Sequence, residues 1–179
     1  AIRNKLRELV KYNKVMLVYP IAAEKYIVTT EKPDIVISRR KSPKKGKLVD
    51  LFDELIRIPD LMGSDNFILE ILMIKEEEIR CKDGKGSWRR KGISIVDHKL
   101  LEVIEKITFK EDKDFLIFLP DELPENFTNK NLAKILKVTE NKARKITYCF
   151  RKMKIIKEIG KLKNELIFEK ISNESGEYL

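Results

Sequence analysis

The chain has 179 residues, of which 42% are hydrophobic and 37% charged. That is room for one large domain or two small ones, with enough apolar material for a packed core, which excludes wholesale disorder. The net charge of +9 suits a polyanionic partner, although the abundance of Lys, Ile and Glu and the lack of Gln also fit a compositional bias, so where the charge lies matters more than its total.

The first element expected is an amphipathic helix over 2–13, with Ile2, Leu6, Leu9 and Val10 on one face. Val15 to Tyr19 reads as a strand stopped by Pro20, and Lys25 to Thr30 as a second strand. Pro33-Asp34 marks a turn, and Ile35 to Ile37 reads as a third strand. The run Arg39 to Lys47 carries no periodicity and reads as a basic loop. Leu48, Leu51, Phe52, Leu55 and Ile56 have helical spacing, and Pro59 ends that helix. Phe67 to Ile79 reads as a central strand running into Glu76-Glu77-Glu78.

A second basic loop, Lys82 to Gly92, holds Trp88 beside Arg89, Arg90 and Lys91. Trp88 can stack on a base while its neighbours bind phosphate. Equally, it can fold back as an anchor, with the arginines pairing to Glu76-Glu77-Glu78. After a short strand, Ile93 to Val96, Asp97 is placed to cap a helix over 98–106. Phe115 to Leu119 is apolar, and Pro120 and Pro124 bracket an acidic spacer, read as the boundary between domains 1–119 and 125–172.

Beyond the spacer, Thr128 caps a helix from Asn129 to Leu136 and Thr139 caps a second, from Glu140 to about Lys152. Ala143, Ile146, Phe150 and Met153 form the inward face of the second helix. A strand around Ile156, a turn over Gly160 to Asn164 and a return strand over Glu165 to Ile171 follow. Helix, short turn, helix and hairpin over roughly 127–171 resembles the winged helix-turn-helix family. The resemblance implies duplex DNA as partner and a role as a transcriptional regulator. The outward side of the second helix would lie in the major groove, with Asn141 and Lys145 toward base edges and Lys142, Arg144, Tyr148 and Arg151 beside them. Lys161, Lys163 and Asn164 at the hairpin tip, and Trp88, Arg89 and Arg90, would add contacts. A solvated basic helix in a module used for protein contacts, or an RNA-binding module, is the competing reading. A homodimer is expected by analogy with other winged-helix proteins.

The N-terminal element order (helix, three strands, helix, strand) gives an α+β chain overall. Over roughly 2–74 it resembles the restriction-endonuclease-like PD-(D/E)XK core. In that reading Glu8, Glu24 and Asp34 would be the catalytic carboxylates, holding Mg²⁺ for a metal-dependent nuclease. Asp34-Ile35-Val36 departs from the motif, with no Lys two residues after the acid, so a binding protein without cofactor is expected rather than an enzyme. The basic segments and tail together are similar to a family of uncharacterised archaeal and bacterial proteins. Cys81 and Cys149 lie far apart and neither belongs to a CxxC, and His98 stands alone. No metal site is expected from them. No apolar run reaches the roughly 20 residues that span a bilayer, and no signal segment opens the sequence, so a cytoplasmic protein without membrane partner is expected.

Overall fold

A computed structural model describes residues 2–31 and 35–171. The fold is mixed α+β, and its packing divides into two units: one of residues 1–17, 49–70 and 108–179, the other of 18–48 and 71–107. The division does not fall at the Pro120–Pro124 spacer. The C-terminal segments are packed into the same unit as the first helix and residues 49–70.

In the first unit, helix α1 spans Ile2–Tyr12 and buries Leu6 and Val10. Arg7 donates to both oxygens of Asp60 at 2.8 Å, and the Asn66 side chain donates to the Val10 carbonyl. The predicted helix over 47–58 is broken instead into a 3-10 turn at Leu48–Leu51, a one-turn helix α2 at Phe52–Leu55 and a second 3-10 turn at Pro59–Leu61. Pro59 therefore opens a turn as well as ending the helix, as proline's fixed φ allows. Phe52, fully buried, meets Phe118 and Phe150 edge-on at 5.0 and 5.6 Å, and Phe115 at 6.3 Å. Phe115 is delivered by a 3-10 segment over Asp112–Phe118 and stacks on Phe109 at 4.5 Å.

The tail of this unit follows the predicted order. Strand β5 (Asn126–Thr128) leads into α3 (Asn129–Leu136) and α4 (Glu140–Lys152). β6 (Ile156–Leu162) and β7 (Glu165–Lys170) then close a three-stranded sheet of order β5-β7-β6. Thr128 and Asn131 form a reciprocal capping box on α3, and Thr139 accepts from the Lys142 amide at the start of α4. Lys137, in the left-handed region at φ 52°, ends α3. Ala143, Ile146 and Phe150 are fully buried and Met153 nearly so.

The second unit contains most of a four-stranded sheet of order β2-β1-β3-β4. β1 runs unbroken over Val15–Thr30, so Pro20 does not stop it. β2 (Val36–Lys41) pairs antiparallel only with Tyr26–Thr30, which leaves Pro20 where β1 has no β2 partner. Arg39 to Lys41, read as loop, belong to β2. β3 spans Phe67–Cys81 between β1 and β4. The helix expected over 98–106 is absent: β4 runs as one strand over Ser94–Phe109, and the Asp97 side chain accepts from the His98 amide at 2.8 Å without starting a helix. Its apolar residues recur at helical spacing, but the segment is rich in Val and Ile, and a sheet-edge strand exposed on both faces has no need to alternate. The N-terminal order is thus helix, two strands, short helical turns, then two strands, in place of helix, three strands, helix, strand.

Candidate nucleic-acid interface

Because α4 buries Ala143, Ile146, Thr147, Cys149 and Phe150, its remaining positions are fixed by the 3.6-residue period. Asn141, Arg144, Tyr148, Arg151 and Lys152 are the exposed residues of that helix beyond its first. They form an outward row of two arginines, a lysine, an amide and a phenol.

Lys142 and Lys145, expected beside this row, are turned elsewhere. The Lys142 ammonium donates to Asp50 at 2.8 Å and Asp53 at 2.6 Å, and its side chain is only 15% exposed. Lys145 donates to the other oxygen of Asp53 at 2.7 Å. Burial alone would raise the Asp53 carboxyl, but the bonds from the two lysines outweigh it and hold the group below its ordinary range. Burial works against the Lys142 charge too, and the two aspartates overcome it, so its affinity for the proton is raised. Sequence gave no signal for this pairing, since Asp50 and Asp53 lie some ninety residues from their partners.

Beside the outward row, α3, α4 and β7 enclose a cleft of about 350 Å³. Asn129, Lys130, Arg144, Tyr148, Arg151 and Asn164 are among its walls, and Phe168 lies in the lining. Thr147, buried, donates to the Asn129 side chain at 2.8 Å and fixes that wall. Each cation of the cleft has an acidic neighbour: Lys130 with Glu165, Arg144 with Glu140 at 3.4 Å, and Arg151 with Glu158 at 2.6 Å. These are surface pairs that solvent screens and that hold their partners weakly, so a phosphate can displace the acid. Lys161, still within β6, and Lys163 and Asn164 in the β6–β7 turn are exposed, with Lys163 in the left-handed region; the turn expected over Gly160 to Asn164 is shorter because β6 stays paired with β7 as far as Leu162.

In the second unit, Trp88, Arg89 and Arg90 form a 3-10 turn whose three side chains are exposed, Trp88 by 84%. The anchored alternative for this loop fails on both counts. The tryptophan is not folded back, and the three glutamates have other partners: Lys25 bridges Glu76 and Glu78 at 2.8 and 3.0 Å, Arg80 holds Glu78 at 2.6 Å, and Arg39 holds Glu77 at 2.7 Å.

Of the carboxylates proposed for metal chemistry, Glu8 pairs with Lys11 and Glu24 with Lys41, both at 2.7 Å. The Lys41 hydrogen bond holds Glu24 below its ordinary value. Asp34 lies outside the described residues. Among the described residues, Glu76, Glu78 and His98 are grouped closely enough to hold a metal ion, and neither Glu8 nor Glu24 belongs to that group. Positions 76 and 78 share a strand face, a signal present in the sequence. Lys25 already supplies the positive charge there: burial works against it, and the two carboxylates raise its hold on the proton.

No helix among the described residues is long and apolar enough to cross a membrane. A protein of Treponema pallidum (strain Nichols), described as an uncharacterized protein, is 36% identical over 129 residues, 72% of this chain and 51% of its own. The chain thus spans about half the length of that curated relative. No solved structure matches. Residues 1–110, well over half of the chain, match the model of a domain of unknown function, DUF8091, and the chain belongs to that family.

Proposed function

We propose that residues 126–170 are a winged helix-turn-helix module that binds duplex DNA through the outward row of α4 and the β6–β7 turn. The observation that carries this reading is the row itself: Asn141, Arg144, Tyr148, Arg151 and Lys152 stand exposed on one side of a 13-residue helix that is anchored by its buried side. Arg144 and Arg151 are suited to phosphate or guanine, Asn141 to adenine, and Tyr148 to backbone or sugar. Lys161, Lys163 and Asn164 at the hairpin tip add contacts to the backbone. Lys142 and Lys145 hold the helix to Asp50 and Asp53 and are left out of the DNA contact. A transcriptional regulator is the role such a module fits.

Fluorescence anisotropy of a labelled duplex against the full chain tests this. The association constant falls with salt, by a log–log slope of about 0.9 per neutralised phosphate. Replacing both Arg144 and Arg151 with Ala lowers affinity at least tenfold and flattens that slope by about 2. Lys142→Ala leaves the slope unchanged. No binding at low salt, or undiminished binding by the double variant, overturns the reading.

The homodimer also belongs among these proposals, and the surface that supports it is β4. This sheet-edge strand exposes Val96, Leu100 and Ile104 on one face and Leu101 and Val103 on the other, beside a strand edge of the kind that pairs with another chain. Sedimentation equilibrium tests it: a dimer that Leu100→Lys dissociates supports it, and a monomer at all concentrations removes it.

A further inference from the structure

We propose that the loop from Lys82 to Ile93 is a site for single-stranded nucleic acid, in which Trp88 stacks on an unpaired base and Arg89 and Arg90 hold the flanking phosphates. This goes beyond the duplex reading of the tail and does not depend on it.

The loop is built, and it is built to present its tip. The Gly86 amide donates to the Gly92 carbonyl at 3.1 Å and the Arg90 amide to Ser87 at 2.9 Å. Asp83 accepts from the Lys85 amide at 3.0 Å and from the Ser94 hydroxyl at 2.9 Å. A Cβ on Gly86 would collide with the Ile93 carbonyl, and Gly92 sits at φ +77°, so both glycines are required by the turn. A tryptophan held outward on such a frame forgoes burial of a large aromatic surface.

The charge within the loop is one-sided. Lys82, Lys85, Arg89, Arg90 and Lys91 are all exposed. The one acid within the loop, Asp83, is engaged by its own turn, and the neighbouring Glu76, Glu77 and Glu78 are matched to Lys25, Arg39 and Arg80. An aromatic plane amid cations calls for a ligand that is both flat and anionic along a chain, which describes a nucleotide strand. In a duplex the base faces are covered by their neighbours; in a single strand they are open. A membrane surface would attract the same cations, but insertion needs a group of apolar side chains, and Trp88 is flanked by Ser87 and Arg89.

Trp88 is the only tryptophan, so the fluorescence of the full chain reports on this loop. Titrations with oligothymidylate, with a duplex and with phosphatidylserine vesicles form the test. Oligothymidylate is expected to quench the emission saturably, with a midpoint that weakens as salt rises, and the duplex to quench far less. Measured by anisotropy of labelled oligothymidylate, Trp88→Ala loses about tenfold in affinity or more and Trp88→Phe recovers much of it. Arg89→Ala with Arg90→Ala flattens the salt dependence. The chain carrying Arg144→Ala and Arg151→Ala keeps its quenching by oligothymidylate even where duplex binding is lost, which separates this site from the tail. An absence of quenching, a response to vesicles alone, equal quenching by duplex, or unchanged affinity in Trp88→Ala would each overturn the proposal.

Discussion

Asp53 and Asp112 show opposite fates for a carboxylate in this protein. Asp53 is held below its ordinary value against the pull of burial, because Lys142 and Lys145 both donate to it. Its contribution to stability is therefore complete above the ordinary carboxylate range and is lost as pH falls through the depressed value. Because the Asp53 side chain is 43% exposed and solvent screens its pairs, Asp53→Asn is expected to lower stability by less than about 1 kcal/mol at neutral pH and to flatten the acid limb of a melting-temperature-against-pH curve. Asp112 has a raised affinity for its proton from burial alone, and its Oδ1 lacks a hydrogen-bond partner among the described residues. The sign reverses: its ionised form weakens the fold as pH rises through the raised value. Asp112→Asn is expected to raise the melting temperature at pH 7 and to make no difference at a pH below the ordinary carboxylate range. Neither fate was legible in the sequence. Each depends on what folding brings near a carboxylate, and acids spaced along a chain do not carry that information.

Elements with strong local signals were legible, and those whose conformation is decided by neighbours were not. α4 begins and ends where Thr139 and its apolar spacing place it, because cap, period and buried face agree. β4 has the spacing of a helix and is a strand, because pairing with β3 and a run of branched residues decide the matter. α2 is a single turn, because the residues around Phe52 must deliver that ring to three others. The same contrast separates the effects of mutation. Leu100→Lys and Ile104→Lys, at side chains 56% and 49% exposed, are expected to change the unfolding free energy of the monomer by no more than about 0.5 kcal/mol. Phe150→Ala, which removes a fully buried ring packed on Phe52, is expected to cost about 3–5 kcal/mol. Urea denaturation of the three variants compares them directly.

At the scale of the whole molecule, the proline-bracketed spacer reads as a domain boundary, yet packing crosses it. Phe150 of α4 rests on Phe52, and Lys142 and Lys145 of the same helix are held by Asp50 and Asp53. The pattern of the tail was visible in sequence because it is local; its dependence on residues 49–70 was not, because that contact is made between segments far apart in the chain. A fragment of residues 120–171 would leave one side of Phe150 without its aromatic partner and Lys142 without either carboxylate. Such a fragment is expected to keep much of its helical circular dichroism while losing dispersed amide resonances and a cooperative melt, as packing is loosened before local structure is lost. Adding Phe150→Leu to the fragment should change little, whereas in the full chain the same substitution removes the edge-on contact with Phe52 and lowers the melting temperature. A fragment with well-dispersed resonances and a sharp transition would show that the contacts to Phe52, Asp50 and Asp53 merely dock a tail that is already complete.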